Sequence, residues 1–275
     1  MNQLSNEARV QIIRCLVEGN SINSTCRITG RNKHAVLKLL VDVGMACRRF
    51  HDEKVRGVAC KRLQVDEVWN FCYAKEKNVP AHLKGQFGYG DVWTWTAVDA
   101  DTKLIVSYLV GLRGSEYAQE FVQDIKDRII TRFQLTSDGH RAYLQAVEDA
   151  FGGDIDFAQL VKVYGAERAG EARYSPPVCL AAEKHQVSGE PDWDHVSTSY
   201  AERSNLTMRM SMRRYTRLTN AFSKKIENMK AAVSLNFMYY NFCRIHSTLR
   251  VTPAMEAGLA DHVWEIEDLV DLLLD

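Results

Sequence analysis

The feature that most constrains this chain is a buried-strand pattern with an acid in its middle, the run RLQVDEVW at positions 62–69. Leu63, Val65 and Val68 favour a pleated, buried sheet, and Asp66 lies among them. An ionised carboxylate in such surroundings is costly unless a cation offsets its charge. A metal ion is the usual solution, so we expect further carboxylates to converge on Asp66 from distant parts of the sequence.

Length and composition set the class of protein. The 275 residues are enough for one large domain, or for a large domain and a small one. With 46% hydrophobic and 25% charged residues, the chain reads as soluble and globular, and it has no apolar run long enough to span a membrane and no signal-peptide core. The seven cysteines are scattered without a C-x-x-C pair, which argues against a zinc ribbon or a disulfide framework and favours a reducing cytoplasm.

The net charge of zero conceals a strong segregation along the chain. Residues 1–62 hold 12 Lys/Arg against 5 Asp/Glu, and residues 63–202 hold 13 against 22. Residues 203–250 hold 10 against 1, and the tail 251–275 holds none against 7. Two basic blocks around an acidic middle predict a polyanionic partner and a carboxylate-rich site between its contacts. The alternative is chance patchiness of solvated faces.

The first 44 residues predict three short helices. Helical spacing of apolar residues gives helices at 6–17 and 22–28, and Asn32 caps a third helix that ends at Gly44. A short helix, a Gly-containing turn and a third helix make a helix-turn-helix, whose last helix enters the DNA major groove at its start. The alternative is a plain three-helix packing module. The residues expected to face DNA are Arg31, Asn32, Lys33 and His34.

From position 62 the pattern changes to strands, in the order meander, helix, strand, helix, strand. This order predicts an α/β fold of the ribonuclease H-like type, with a mixed five-stranded sheet and flanking helices. The predicted segments are strands 62–74, 91–98 and 104–110, helix 115–131, a short strand that ends in a turn over 133–140, helix 142–151 and strand 157–164, followed by helices 199–215 and 222–242.

The predicted domain organisation has four parts. They are a helix-turn-helix domain at 1–46, a linker at 47–61, a catalytic domain at 62–257 with a loop insertion at about 165–198, and an acidic C-terminal helix at 258–275. The apolar residues of that last helix fit either an interaction helix or a segment that docks on the protein's own core.

Two further acids are candidates to join Asp66. Asp138 ends a predicted strand, where an ordinary Asp-Gly turn is the alternative, and Glu202 lies early in a helix, where a surface acid at a helix N-terminus is the alternative. Glu67 should point to the opposite face of the sheet and is interpreted as structural or as an outer-shell group. Arg209 is two helical turns after Glu202, so it places a cation beside that acid.

Three carboxylates that hold two divalent ions can catalyse in-line phosphoryl transfer. Mg²⁺ suits such a site because it prefers oxygen ligands, with Mn²⁺ as a substitute. We therefore predict Asp66, Asp138 and Glu202 as the metal ligands and catalytic acids. The predicted DNA contacts around them are Arg203, Asn205, Arg209, Arg213 and Arg214.

These motifs resemble those of the insertion sequence 1 family of bacterial DDE transposases. The residues that carry the resemblance are LQVDEVWNF around Asp66, LTSDGHRAY around Asp138 and YAERSNLTMRM around Glu202. Arg209 matches the basic residue that such enzymes often have seven positions after the glutamate. The segment YYNFCRIHSTLRVTPA resembles their C-terminal signature, and the resemblance covers about residues 60–257.

The resemblance implies a ribonuclease H-like core, Mg²⁺ dependence, and cleavage and joining of double-stranded DNA at terminal inverted repeats and target DNA. It also implies a homo-oligomer in the DNA complex and a place with the nucleoid in a bacterial cytoplasm. One departure is that relatives can carry a zinc-binding cysteine cluster before the helix-turn-helix, and this sequence has none. Two alternatives remain: a catalytically inactive DNA-binding regulator, and a metal-dependent nuclease that hydrolyses DNA without joining it.

Overall fold

A mixed sheet forms the centre of the computed structural model, which describes residues 4–165, 179–216 and 219–274. Its strands are β1 Arg62–Cys72, β2 Gly90–Asp99, β3 Ile105–Gly111, β4 Gln134–Asp138, β5 Asp156–Tyr164 and β6 Cys179–Ser188. The sheet order is β3-β2-β1-β4-β5-β6, so the first strand lies in the interior. Strands β1 to β3 form an antiparallel meander, β4 and β5 run parallel to β1, and β6 is antiparallel to β5.

Helices precede the sheet, connect its strands and follow it. They are α1 Asn6–Val17, α2 Ile22–Thr29, α3 Lys33–Lys54, α4 Ser115–Arg128, α5 Ala142–Phe151, α6 Ser199–Ser211, α7 Ile226–Met238, α8 Pro253–Glu256 and α9 Ile266–Asp271. The first three begin where predicted, because Ser5, Ser21 and Asn32 each accept a hydrogen bond from the backbone N–H three residues on. No helix in the described part of the chain is long and apolar enough to cross a membrane.

The pairing of β1 with β4 is short, and this creates room for a site. The parallel register runs only from Arg62 opposite Gln134 to Gln64 opposite Thr136. Beyond Gln64, β1 continues in its pairing with β2, but its ladder with β4 has ended. Asp66 and Asp138 therefore lie at the point where the two neighbouring strands separate.

The N-terminal helices share one hydrophobic core with the sheet. Val36, Leu40 and Val43 of α3 belong to the same buried cluster as Leu63 and Val65 of β1. Gly44 makes the close packing of α3 on α7 possible, because a Cβ atom there would lie 2.4 Å from the carbonyl oxygen of Ala231. The predicted domain division between these helices and the sheet is therefore not marked by a break in the core.

The prediction of a linker at 47–61 is wrong over its first half, because α3 continues to Lys54. Two of the polar residues in this segment, His51 and Asp52, contact a buried arginine instead. Arg128 of α4 is fully buried, and it donates hydrogen bonds to Asp52 of α3, to Asp124 and to the backbone carbonyl of His51. When polar residues of a helix pack against a buried arginine, their sequence pattern resembles that of a solvent-exposed segment.

Two other predictions also need correction. The predicted loop insertion at 165–198 contains β6, which makes the sheet six-stranded instead of five-stranded; residues 166–178 of that insertion lie outside the described residues. The side chains of β6 are exposed on both faces, so no alternation of apolar residues indicated a strand. The tail predicted as a helix over 258–275 is helical only in α9, which packs against α1 and buries Leu269 and Val270.

Candidate active site

The three predicted acids line one cleft of about 710 Å³. Asp66 comes from the middle of β1, Asp138 from the last residue of β4 and Glu202 from the first turn of α6. Arg209, two turns further along α6, lines the same cleft. Segments that are far apart in sequence therefore bring three carboxylates and a guanidinium to one place.

The start of α6 is fixed on β1 by a residue that the sequence reading missed. Gln64 accepts hydrogen bonds at its side-chain Oε1 from the backbone N–H groups of Tyr200 and Ala201, at 2.7 and 3.3 Å. Helices leave their first N–H groups without partners within the helix, so an external acceptor of this kind sets where the helix begins. Gln64 thereby helps to position Glu202 relative to Asp66.

Asp66 is held in place by two donors. The backbone N–H of Glu67 donates to its Oδ1 at 2.8 Å, and the side-chain amide of Asn205 donates to its Oδ2 at 2.8 Å. Burial raises the pKa of Asp66 to about 6; the N–H of Glu67 works against this rise, and the charges of Asp138 and Glu202 add to it. The acid thus sits among like charges, as it would in a site that accommodates a cation.

Glu67 differs from its prediction. Strand alternation placed its side chain on the opposite face of the sheet, yet one carboxylate oxygen each of Asp66, Glu67 and Asp138 lie within 4.8 Å of one another. The physical reason is the end of the β1–β4 ladder: Asp138 lies beside the opening, where side chains from both faces of β1 can approach it. Alternation predicts to which face of the sheet each side chain of β1 points. It does not predict where the neighbouring strand β4 ends.

Glu67 is buried, and a single arginine links it to Asp138. The Nε of Arg113 donates to Oε2 of Glu67 at 3.2 Å, and its terminal nitrogen lies 3.7 Å from Oδ2 of Asp138. The guanidinium also stacks on Trp93, 4.7 Å from the ring centroid. Burial raises the pKa of Glu67 to about 7; the hydroxyl of Tyr143 lowers it, Asp138 raises it and Arg113 lowers it. Nothing in the sequence around Arg113 had indicated this role.

Glu202 faces another part of the cleft. Its Oε1 accepts a hydrogen bond from the hydroxyl of Thr198 at 2.6 Å and forms an ion pair with Lys162. Its carboxylate does not join the group formed by Asp66, Glu67 and Asp138, although its charge acts on Asp66. The structure thus brings the three predicted acids to one cleft, with Glu67 closer to the first two than Glu202 is.

The donor set fits a hard divalent cation. All the candidate ligand atoms are carboxylate oxygens, which Mg²⁺ and Mn²⁺ accept. One buried oxygen at the site, Oδ1 of Asn205, has no hydrogen-bond partner among the described residues. Buried acceptors without a partner are rare, and a cation or its bound water would satisfy them.

The predicted DNA contacts are divided between surface and interior. Arg31, Lys33, His34 and Arg203 are exposed, whereas the side chain of Asn32 caps α3 by accepting from the N–H of Ala35 at 2.8 Å. Asn205 is buried against Asp66 and so belongs to the acidic site rather than to the surface. Arg213 is exposed and Arg214 half-buried, and both line a second cavity.

Comparisons with known proteins add little to this geometry. The sequence matches no protein-family model, and no curated protein is significantly similar to it. A cryo-EM structure of the piggyBac transposase synaptic complex with hairpin DNA aligns over 99% of this chain and 72% of its own, with 11% identity and a TM-score of 0.39. The crystal structure of the Mos1 strand transfer complex aligns over 86% of this chain and 78% of its own, with 10% identity and a TM-score of 0.24. Scores this low do not establish a shared fold.

Proposed function

We propose that this protein is a DDE transposase that cleaves DNA at the ends of an insertion sequence and joins them to target DNA. The observation that carries the proposal is the convergence of Asp66, Asp138 and Glu202 on one cleft from three separate segments. Three carboxylates around one opening can hold two divalent ions for phosphoryl transfer between DNA strands. The resemblance of the same three segments to insertion sequence 1 transposases supports this choice.

The order of the sheet supports a ribonuclease H-like core. An antiparallel meander followed by two parallel strands, with helices α4 and α5 in the connections, gives the order β3-β2-β1-β4-β5. In this arrangement the central strand carries the first acid, and its parallel neighbour ends at the second. The strand β6 extends the sheet beyond β5.

Asp66, Asp138 and Glu202 would hold Mg²⁺, with Glu67 beside the first two. Bound divalent ions would supply activation of the attacking hydroxyl and stabilisation of the leaving oxygen. In the same cleft, Asn205 orients Asp66 through its 2.8 Å hydrogen bond, and Arg113 offsets the negative charge of Glu67 and Asp138. Arg209 gives the cleft a guanidinium for a DNA phosphate.

DNA would be bound by the exposed cations at the start of α3 and along α6. Arg31, Lys33 and His34 are on the surface that a helix-turn-helix presents to a major groove, and Arg203 is exposed beside the acidic cleft. The helix-turn-helix would form a separate functional domain at 1–46 and would bind the terminal inverted repeats. The catalytic domain would follow at 62–257. Because a transposase must bind two element ends together, we expect a homo-oligomer in the DNA complex. The reaction would take place in the bacterial cytoplasm.

One observation favours the inactive regulator as the second candidate. Glu202 is paired with Lys162 and Thr198, so the third acid has cationic and hydrogen-bonding partners without a metal. A regulator would bind element DNA with equal affinity in the presence and absence of Mg²⁺. A metal-dependent nuclease differs from a transposase only in its products, because it hydrolyses strands without joining them.

Cleavage of a labelled end of the protein's own host element, with and without Mg²⁺, tests the proposal. We expect nicking by the parent protein only with Mg²⁺ or Mn²⁺, and none by Asp138→Asn or Glu202→Gln, while DNA binding persists in both variants. Cleavage by both variants at the parent's rate would overturn the assignment of the acids. Binding without cleavage by any form would favour the regulator.

A further inference from the structure

A second cavity, of about 470 Å³, lies where the N-terminal helices meet the chain that follows α6. One wall comes from the region of α1 to α3, and the other comes from residues 212–214 and from members of the range 219–236. Its described lining includes five cations and no acid: Lys33, Arg213, Arg214, Lys224 and Lys225. We call it the basic cavity. The two basic blocks of the sequence therefore meet at one place in the fold.

Among the residues that the structure describes, no carboxylate pairs with a cation of the basic cavity. Within the described ranges, none of the five cations forms a salt bridge. Arg214 donates from Nε to the hydroxyl of Ser223 at 2.9 Å, and its terminal nitrogens have no described partner. Burial lowers the pKa of Arg214 to about 10, and Tyr215 acts weakly in the other direction. A bound anion would offset the charge of this half-buried guanidinium.

The neutral lining of the basic cavity also suits phosphate. Besides apolar residues, the lining includes side-chain amides and hydroxyls, and such groups donate hydrogen bonds to phosphate oxygens. They come from both walls: Asn20, Ser21, Asn23, Thr219, Asn220, Ser223, Asn228 and Asn236. The described lining has charged and neutral hydrogen-bond donors but no carboxylate. Such a cavity would repel a cation and would bind the phosphates of an extended polyanion.

The position of the basic cavity points to DNA as the source of that phosphate. Lys33 lies at the first residue of α3, beside the surface expected to enter a major groove. On its other side the cavity adjoins the end of α6, and this helix leads back to Glu202 in the acidic cleft. From Glu202 to Ser211 the helix rises ~14 Å, which is the span of about four phosphates along one strand.

We propose that the basic cavity binds the backbone of duplex DNA and connects the helix-turn-helix surface with the acidic cleft. This inference rests on the proposed function, and it adds Lys224 and Lys225 as DNA contacts that sequence motifs did not indicate. Phosphate contacts of this kind carry no sequence information and fix the register of the duplex. Their role is to hold DNA so that one strand reaches the acids.

The test is the salt dependence of DNA binding by Lys224→Gln/Lys225→Gln, measured by fluorescence anisotropy with EDTA present. The probe is a random-sequence duplex about three helical turns long. Both lysines are exposed, so the variant should fold, and thermal unfolding checks this. We expect weaker binding and a slope of log K against log salt that is smaller in magnitude by about 2. Arg214→Gln should reduce the magnitude of this slope by about 1.

The matched control is Lys126→Gln/Arg132→Gln, which removes two exposed cations that lie outside both cavities. If the cavity variant and this control have the same slope, the inference is overturned. Cleavage of the host-element end by the parent protein with Mg²⁺ is measured beside it. If the parent protein cleaves the DNA and the cavity variant and the control variant have equal slopes, only the inference is overturned. A smaller slope for the cavity variant without any cleavage supports the inference and overturns the proposed function.

Discussion

The side chain of Asn205 donates a hydrogen bond from Nδ2 to Oδ2 of Asp66 at 2.8 Å, which ties α6 to the central strand of the sheet. Asn205 is buried, and its own Oδ1 has no described partner. Together with the hydrogen bonds from α6 to Gln64, this contact sets the distance between the helix that carries Glu202 and the strand that carries the first acid. The relative position of the acids in this cleft therefore depends on a neutral residue.

Replacement of Asn205 by alanine should weaken both stability and catalysis. Loss of a buried hydrogen bond to a carboxylate lowers the free energy of unfolding by about 1–3 kcal/mol, and misplacement of Asp66 should lower the rate of DNA cleavage. Urea denaturation and a cleavage time course measure the two effects. The control is Leu206→Ala on the same helix, which removes an exposed side chain. Equal effects of the two substitutions would contradict the role of Asn205.

Replacement of Glu67 by glutamine tests whether the fourth acid contributes to metal binding. The oxygens of Asp66, Glu67 and Asp138 lie within 4.8 Å of one another, so loss of the Glu67 charge should weaken Mn²⁺ binding by about 10- to 100-fold. Isothermal titration calorimetry without DNA measures this affinity directly. Glu116→Gln, an exposed acid in the first turn of α4, is the control. An unchanged Mn²⁺ affinity in Glu67→Gln would limit Glu67 to its ion pair with Arg113.

Replacement of Arg128 by methionine should strongly destabilise the protein. Arg128 is fully buried and bonded to Asp52 and Asp124, so its removal leaves Asp124 without its ion-pair partner and leaves Asp52 with Arg48 alone. Breaking a buried pair in this way costs about 3–5 kcal/mol of unfolding free energy. Arg132→Met removes an exposed pair with Asp156 and should cost less than about 1 kcal/mol. Similar losses in both variants would show that Arg128 does not join α3 to α4 as described.

Replacement of Gly44 by alanine should destabilise the protein even though alanine favours helices by about 1 kcal/mol over glycine. The new Cβ would lie 2.4 Å from the carbonyl oxygen of Ala231, so α3 and α7 would have to move apart. We expect a net loss of about 1–3 kcal/mol in the free energy of unfolding. Gly153→Ala is the control, because a Cβ there meets no atom within 4 Å. A gain of stability in Gly44→Ala would contradict the close packing of the two helices.

The sequence predicted most of the elements that position the site. The bounds of α1 and α5 agree with the predicted segments, and the strands that carry Asp66 and Asp138 lie where alternation placed them. These features depend on local signals: capping residues, helical spacing of apolar side chains and alternation in strands. Convergence of Asp66, Asp138 and Glu202 on one cleft was expected, because a carboxylate in the middle of a buried strand needs a cation, and the other two acids lie at the end of a later strand and at the start of a helix.

Other features depend on partners that are far away in sequence. The continuation of α3 through a polar segment requires Arg128, and the strand β6 is recognisable only by its pairing with β5. Glu67 turns toward Asp138 because the β1–β4 ladder ends at Gln64, and the register of a parallel pair cannot be read from either strand alone. Arg113 and Gln64 act through contacts to residues that are far from them in the chain, so no spacing rule indicated them.

The most direct test of the account is a strand-transfer assay with purified protein, Mg²⁺, a labelled end of its host element and a plasmid target. Asp66→Asn is measured in parallel, with DNA binding as its control for folding. We expect joined products with the parent protein, none with Asp66→Asn, and nearly equal DNA affinity for both. Joined products from Asp66→Asn at the parent's level would contradict the proposed site, and strand cleavage by the parent without any joined product would contradict the transposase.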